Sequence, residues 1–190
     1  MDRPRPHPYH PARVGDLTAD ELRRLLGLEP HPTCGFVAET YRSETRIASG
    51  GLPAPFSDGR PLGSALCFLV TPDAPVHLHR IRNDQLYHRY LGDALDVLLL
   101  YPDGTSDRVQ VGPELHRAQR LELFIPGGTF HTARLADGGR WFLGASTEWP
   151  GVEPQDVELG DRDALARRYP DRAAELHAFT RDVQPGDARH

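Results

Sequence analysis

The sequence predicts an all-β protein, an antiparallel sandwich or barrel with a short helix before it and helices after it. Three observations predict this. From Gly35 onward the apolar period is two, the spacing of strands rather than helices. The segments are short and close together. Turn residues, among them Gly92-Asp93 and Pro102-Asp103-Gly104, stand between them. With 190 residues the chain suits one domain with a sizeable core and is short for two.

Taken in order, residues 1–16 read as a flexible arm, because alternating prolines oppose a regular element, and His7 and His10 there read as solvated. Thr18-Ala-Asp-Glu21 is a capping box opening a short helix with Leu22, Leu25 and Leu26 as its apolar stripe and Gly27 as its stop. Strands are expected over 36–42, 64–71, 76–81, 85–91, 94–101, 107–111, 121–125, 129–135 and 140–147, with a Gly/Pro-rich loop over 49–63. After Pro154 the pattern turns helical, over 161–169 and 171–181, each segment opened by an Asp that can cap it and separated by Pro170. One domain over 17–182 and a polar tail over 183–190 complete the organisation.

Composition narrows the function. The net charge of −5 gives no reason to expect nucleic acid or an anionic membrane as a partner. Every basic residue is Arg, so lysine Schiff-base chemistry is excluded. Cys34 and Cys67 read as two free thiols rather than a disulfide scaffold. No apolar run approaches the ~20 residues of a membrane span, and the N-terminus lacks the apolar core of a secretory signal. The expected setting is a soluble cytoplasmic protein.

The chemistry centres on Val76-His77-Leu78-His79. On a strand, His77 and His79 share a face, whereas on a helix they would lie about 200° apart. Pro126-Gly127-Gly128-Thr129-Phe130-His131 supplies a third imidazole after a tight turn. Three such rings suit a divalent metal (Fe, Mn, Ni or Zn) with open positions for substrate. Without metal, a neutral histidine near pH 7 suits a general base, with His79 paired to Tyr87 or Tyr41 as acid. Parity leaves a fork: if Gln85 points inward, so do Tyr87 and Arg89, and His88 faces out, either bonded in the sheet or part of a dimer contact. Glu39 and Tyr41 share one face of their strand and Arg42 takes the other, where it can grip a substrate carboxylate or phosphate. His31 and His116 read as solvated loop residues, and Trp141 and Trp149 as core and interface.

His77-x-His79, then Gln85 with Gly92 seven residues on, then Pro126-x-Gly128-x2-His131, resemble the two motifs of the cupin superfamily of small jelly-roll barrels. A narrower likeness covers about residues 31–170. His31-Pro-Thr-Cys-Gly-Phe-Val-Ala-Glu39-Thr-Tyr-Arg-Ser43 is similar to the HPEGGYFRETYRS opening of the "cupin 5" group, and residues 79–92 look like its HR..SDE.WHFY.G block. The resemblance implies a jelly-roll barrel, with His77, His79, Gln85 and His131 at the metal-ligand positions. This chain departs from the pattern at its acidic ligand, where Gln85 offers a neutral amide.

The expected function is a cupin-fold enzyme acting on a small polar metabolite by proton transfer next to a carbonyl, an isomerase, epimerase, cyclase or decarboxylase. His79, Tyr87, Tyr41 and His88 are its catalytic candidates, Glu39 and Arg42 its substrate-binding ones, and a homodimer is expected. An iron-dependent three-histidine dioxygenase and a non-catalytic binding protein are the alternatives.

Overall fold

Strands form where branched and aromatic residues alternate with polar ones, and two sheets result because each has one face to bury. The computed structural model describes residues 16–180. The expected tail, and the arm apart from Asp16, lie outside the described residues. In chain order the elements are α1 (Ala19–Leu26), β1 (Glu29–Pro30), β2 (Phe36–Arg42), β3 (Arg46–Ile47), β4 (Arg60–Pro61), β5 (Ser64–Val70), β6 (Val76–Ile81) and β7 (Asp84–Gly92). They continue with β8 (Leu95–Leu100), β9 (Ser106–Val111), β10 (Glu122–Ile125), β11 (Phe130–Leu135), β12 (Phe142–Trp149), β13 (Val157–Leu159), α2 (Arg162–Arg168) and α3 (Ala173–Phe179). The predicted fold class holds. The short pieces β1, β3, β4 and β13 were not expected, since two or three residues carry no period.

The six-stranded sheet runs β1-β2-β5-β12-β7-β10 and the five-stranded sheet β13-β6-β11-β8-β9, with neighbouring strands antiparallel in both. Between them lies a core that includes Phe68, Val70, Val97, Leu99, Leu123 and Phe142. α1 covers part of the outer face of the larger sheet through Leu22, against Leu69 and Leu143. Its predicted capping box is present, with the Thr18 hydroxyl accepting from Glu21 N–H and the Glu21 carboxylate accepting from Thr18 N–H. α2 and α3 cover the smaller sheet through Leu165, Leu176 and Phe179. That is why β8 reads Leu-Asp-Val-Leu-Leu-Leu: Leu95, Val97 and Leu99 face the central core, while Leu98 and Leu100 face the helices. Each such buried side chain contributes about 2 kcal/mol. Among the described residues no helix is long and apolar enough to cross a membrane.

Strict alternation fails at three places that matter. Against β11, His79 pairs with His131 but Val76 pairs with Ala133, so β6 carries an extra residue at His77-Leu78. Against β5, β2 carries one at Thr40, between Glu39 and Tyr41. Against β12, β7 carries one at Tyr90, between Arg89 and Leu91. Each bulge reverses the parity beyond it. Near the last, Gly92 has φ 86°, and a Cβ there would lie 2.3 Å from the Trp141 carbonyl oxygen, so the motif glycine has a steric cause.

One buried ion pair fastens the connections at one end of the barrel. Arg60, 1 % exposed, donates from Nη2 (2.9 Å) and Nε (3.1 Å) to the two oxygens of buried Asp156, and also meets Asp58 and the Gly59 carbonyl. Truncation of one partner strands a buried charge. Arg60→Ala is expected to lose about 3–5 kcal/mol in urea unfolding. The pair Arg60→Met with Asp156→Leu should lose clearly less. A loss below about 0.5 kcal/mol for Arg60→Ala, the level of an ordinary surface change, would refute the role given to this pair.

Candidate active site

The interior face of the larger sheet is set by the pairing of β12 with β5 and β7. Glu148 lies opposite Gln85 and Ser64, and Ser146 opposite Tyr87 and Leu66. These side chains, with Cys34, His31 and the Glu39–Arg42 pair, line a cavity of about 590 Å³. Ile81, Val157 and Leu159 of the smaller sheet line it with carbon.

Glu148 is 2 % exposed and accepts from the hydroxyls of Ser64 (2.7 Å) and Ser146 (2.5 Å). Burial raises its pKa above the usual carboxylate range, against the opposing pull of those two hydroxyls and of Arg42. Gln85 is 5 % exposed, and its Oε1 is buried without a hydrogen-bond partner. Tyr87, fully buried, donates its hydroxyl to His131 Nε2 at 3.0 Å. Burial, with Cys34 and Glu148 adding to it, holds its pKa well above that of a free phenol. The Cys34 thiol, in hydrogen-bonding reach of Tyr87, is pushed up to about 11 by burial.

His79 and His131 form a pair behind this wall, with ring centroids 4.3 Å apart. Nδ1–H of His79 donates to the His77 carbonyl at 2.7 Å, and Nδ1–H of His131 to that of Thr129 at 3.3 Å. Each ring is thereby held in the tautomer that leaves the lone pair on Nε2. Burial pushes the pKa of His79 down to about 4 and that of His131 well below the usual imidazole value. Both rings are neutral near pH 7.

The structure gathers some of the expected residues and disperses others. His79, His131, Gln85 and Tyr87 all point inward. The parity fork resolves with Gln85 in and His88 out, where the His88 ring meets Glu122 and Thr147. The expectation that His77 shares the face of His79 is corrected: the extra residue in β6 turns His77 into a separate cleft beside α2 and α3. The expectation that Glu39 shares a face with Tyr41 is corrected too. The Thr40 bulge puts Glu39 and Arg42 together on the cavity side, bonded to each other at 2.6 Å, and leaves Tyr41 57 % exposed. His31, expected to be solvated, is half-buried and lines the cavity. Sequence reasoning missed Glu148, Ser146 and Ser64. The signal available was Ser146-x-Glu148, a spacing that puts both on one face of a strand whose remaining residues, Thr147 apart, are apolar.

Two jelly-roll sheets enclosing this pocket accord with the comparisons. The Cupin_5 family, described as Cupin superfamily (DUF985), matches residues 20–160. The chain belongs to this family. An uncharacterized protein of Saccharomyces cerevisiae is 25 % identical over 181 residues, 90 % of this chain and 88 % of that protein. A hypothetical protein of Leishmania major superposes with a TM-score of 0.77 at 26 % identity, covering 86 % of this chain and 98 % of that one. A Shewanella oneidensis protein gives 0.75 at 27 %, covering 90 % and 99 %.

Cupins often hold a metal, and the residues here can be tested against one. A three-histidine centre needs three convergent imidazole nitrogens and open positions. His77 is turned away, His131 Nε2 is engaged by Tyr87, and Gln85 offers only a neutral amide. Among the described residues no three His, Cys, Asp or Glu side chains converge as a ligand set. The arrangement does not fit the expected four-ligand centre, and the chemistry below is assigned to the protein's own groups.

The buried histidines make stability depend on acidity. An unfolded imidazole binds its proton near pH 6.5, whereas His79 stays neutral down to about 4. The unfolded state therefore binds more protons in that window. Stability present above pH 6.5 should fall as pH drops toward 4, by on the order of 3 kcal/mol from this residue. Urea unfolding at pH 7, 5.5 and 4.5 checks it, and His79→Gln should flatten the acid limb. An unchanged acid slope in that variant would contradict the assignment.

Proposed function

We propose that this cupin is an isomerase-type enzyme that moves a proton on carbon next to a carbonyl, with Glu148 as the base that removes the proton and the acid that returns it. The observation that carries the reading is a buried carboxyl with a raised pKa, held by two serine hydroxyls and facing a largely apolar cavity. A carboxyl poised nearer neutrality is matched to reversible proton transfer. The base role thereby moves from His79, which lies behind the wall, to Glu148. Tyr87 keeps a role. With its own proton on His131, its oxygen accepts from a substrate hydroxyl and positions it.

The arrangement also favours one class among those expected. Gln85, Tyr87, Ser146 and Glu148 come from neighbouring strands of one sheet, while Ile81, Val157 and Leu159 on the other side are hydrocarbon. His31 and Thr33 also line the cavity from beside β6, bonded to each other through the Thr33 hydroxyl and His31 Nδ1 at 3.1 Å. With Glu148 as the single group that removes and returns the proton, the reaction that suits the site is transfer on one face, as in the interconversion of adjacent hydroxyl and carbonyl carbons. The C–H electron pair forms the enolate double bond while the carbonyl pair moves onto its oxygen. The neighbouring hydroxyl proton then passes to that oxygen, the pair it leaves behind forms the new carbonyl, and the double-bond pair takes the carbon proton back from Glu148 at the adjacent carbon.

The reading is tested by incubating small hydroxy-ketones and hydroxy-aldehydes with the protein in D2O and following loss of C–H signals by proton NMR. Glu148→Gln is expected to slow protein-dependent exchange by about 10²–10⁴-fold with the fold retained. Tyr87→Phe should raise KM by about tenfold with a smaller effect on kcat. Exchange at the parent rate in Glu148→Gln would sink the reading, and binding without exchange would favour a non-catalytic carrier.

A further inference from the structure

The polar wall of the cavity is rich in acceptors, and the guanidinium that lines it, Arg42, is taken up by Glu39 and the Val152 carbonyl. Gln85 Oε1 is buried with no partner. Tyr87 has committed its only proton to His131, with the Cys34 thiol beside its oxygen, so it has no proton to give a ligand. Ser64 and Ser146 have committed theirs to Glu148. Three carboxylates line the space. Glu39 is bonded to Arg42 through Nε (3.0 Å) and Nη2 (2.6 Å), and Glu153 is bridged to Arg46 at 3.2 Å. Arg42 also donates from Nη1 to the Val152 carbonyl at 2.9 Å. Glu148 alone of the three has no ion-pair partner in contact among the described residues: two neutral hydroxyls hold it, and Arg42 acts on it only from a distance.

A buried acceptor without a donor costs about 1–3 kcal/mol, and a buried carboxylate without a cation costs more. A ligand that supplies both N–H donors and positive charge removes both costs. The remaining wall, with Leu66, Ile81 and Leu159, is hydrocarbon and suits an apolar body. We propose that the cavity takes an amphipathic primary amine, its ammonium head set between Gln85 Oε1 and one oxygen of Glu148, which leaves the other oxygen for the carbon proton, and its aliphatic or aromatic body packed along Leu66, Ile81 and Leu159. This rests on the reading of the cavity as the active site and names the class of compound it selects. The polar metabolite expected from sequence becomes a compound with a cationic head and an apolar flank.

The test uses the full chain and three probes of similar shape: phenethylamine, phenylpropionate and phenylethanol, titrated by calorimetry at pH 7.5. The amine should bind at least about tenfold more tightly than either of the others, a difference of about 1.4 kcal/mol. Glu148→Gln should weaken amine binding by about 30-fold or more, as loss of one member of a buried charge pair does. Gln85→Leu, which keeps the carboxylate, should weaken it by about tenfold and serves if Glu148→Gln fails to fold. Equal or tighter binding of the carboxylate or the alcohol, no binding of the amine, or amine affinity unchanged in both variants would overturn the proposal. Amine binding with no D2O exchange on any substrate would fail the isomerase reading alone. Glu148-dependent exchange on neutral carbonyl compounds, with amines ignored, would fail the ligand class alone.

Discussion

The pairing of β12 between β5 and β7 is the constraint on which the rest depends. Its register places Ser146 and Glu148 beside Tyr87 and Gln85 on one side and beside Leu66 and Ser64 on the other. A slip of β12 by one residue would send Ser146 and Glu148 to the outer face and bring Thr147 and Ala145 inside. The apolar end of the same strand, Phe142 and Leu143, locks that register, since Phe142 is packed between the sheets and Leu143 under α1. Core packing at one end of the strand thus fixes polar chemistry at the other.

Much of the fold was legible because period and punctuation are local properties. The two-residue alternation, the capping box at Thr18 and the doubly buried run of β8 can each be read within ten residues. The inward direction of His79 and His131 followed from the motif spacing, whereas for Gln85 and Tyr87 parity said only that they share a face, and the pairing with β12 decided which. The errors share one cause, which is also local but silent. An extra residue in β6 removed His77 from the expected cluster, and another at Thr40 exchanged the faces of Tyr41 and Arg42. A bulge is decided by how the partner strand is satisfied, and neither His77-Leu78 nor Thr40 carries a Gly or Pro to announce it.

Glu148 was hidden for a different reason. A single Glu in a strand is ordinary, and its meaning lies in Ser64, 84 residues away, and in the burial that only the closed barrel supplies. The metal expectation went the other way. It rested on three histidines in motif positions, but position along the chain does not fix where a ring points. Two of the three are indeed adjacent, with their protons held on Nδ1 by the carbonyls of His77 and Thr129. They back the polar wall through Tyr87 and do not line the cavity themselves.

The helix-covered strand β8 has a consequence for how the molecule breathes. Its backbone bonds to β9 and β11 on either side, and its side chains are covered on both faces, so its amides open only with the whole domain. The lip of the cavity is built otherwise: Arg42, Val152 and Glu153 belong to an edge-proximal strand end and a connecting segment. A small local opening there exposes few apolar contacts, whereas an opening at β8 exposes most of the core. Amide exchange is therefore expected to be slowest along β8, and opening is expected to cost least at the lip, where few apolar contacts have to part.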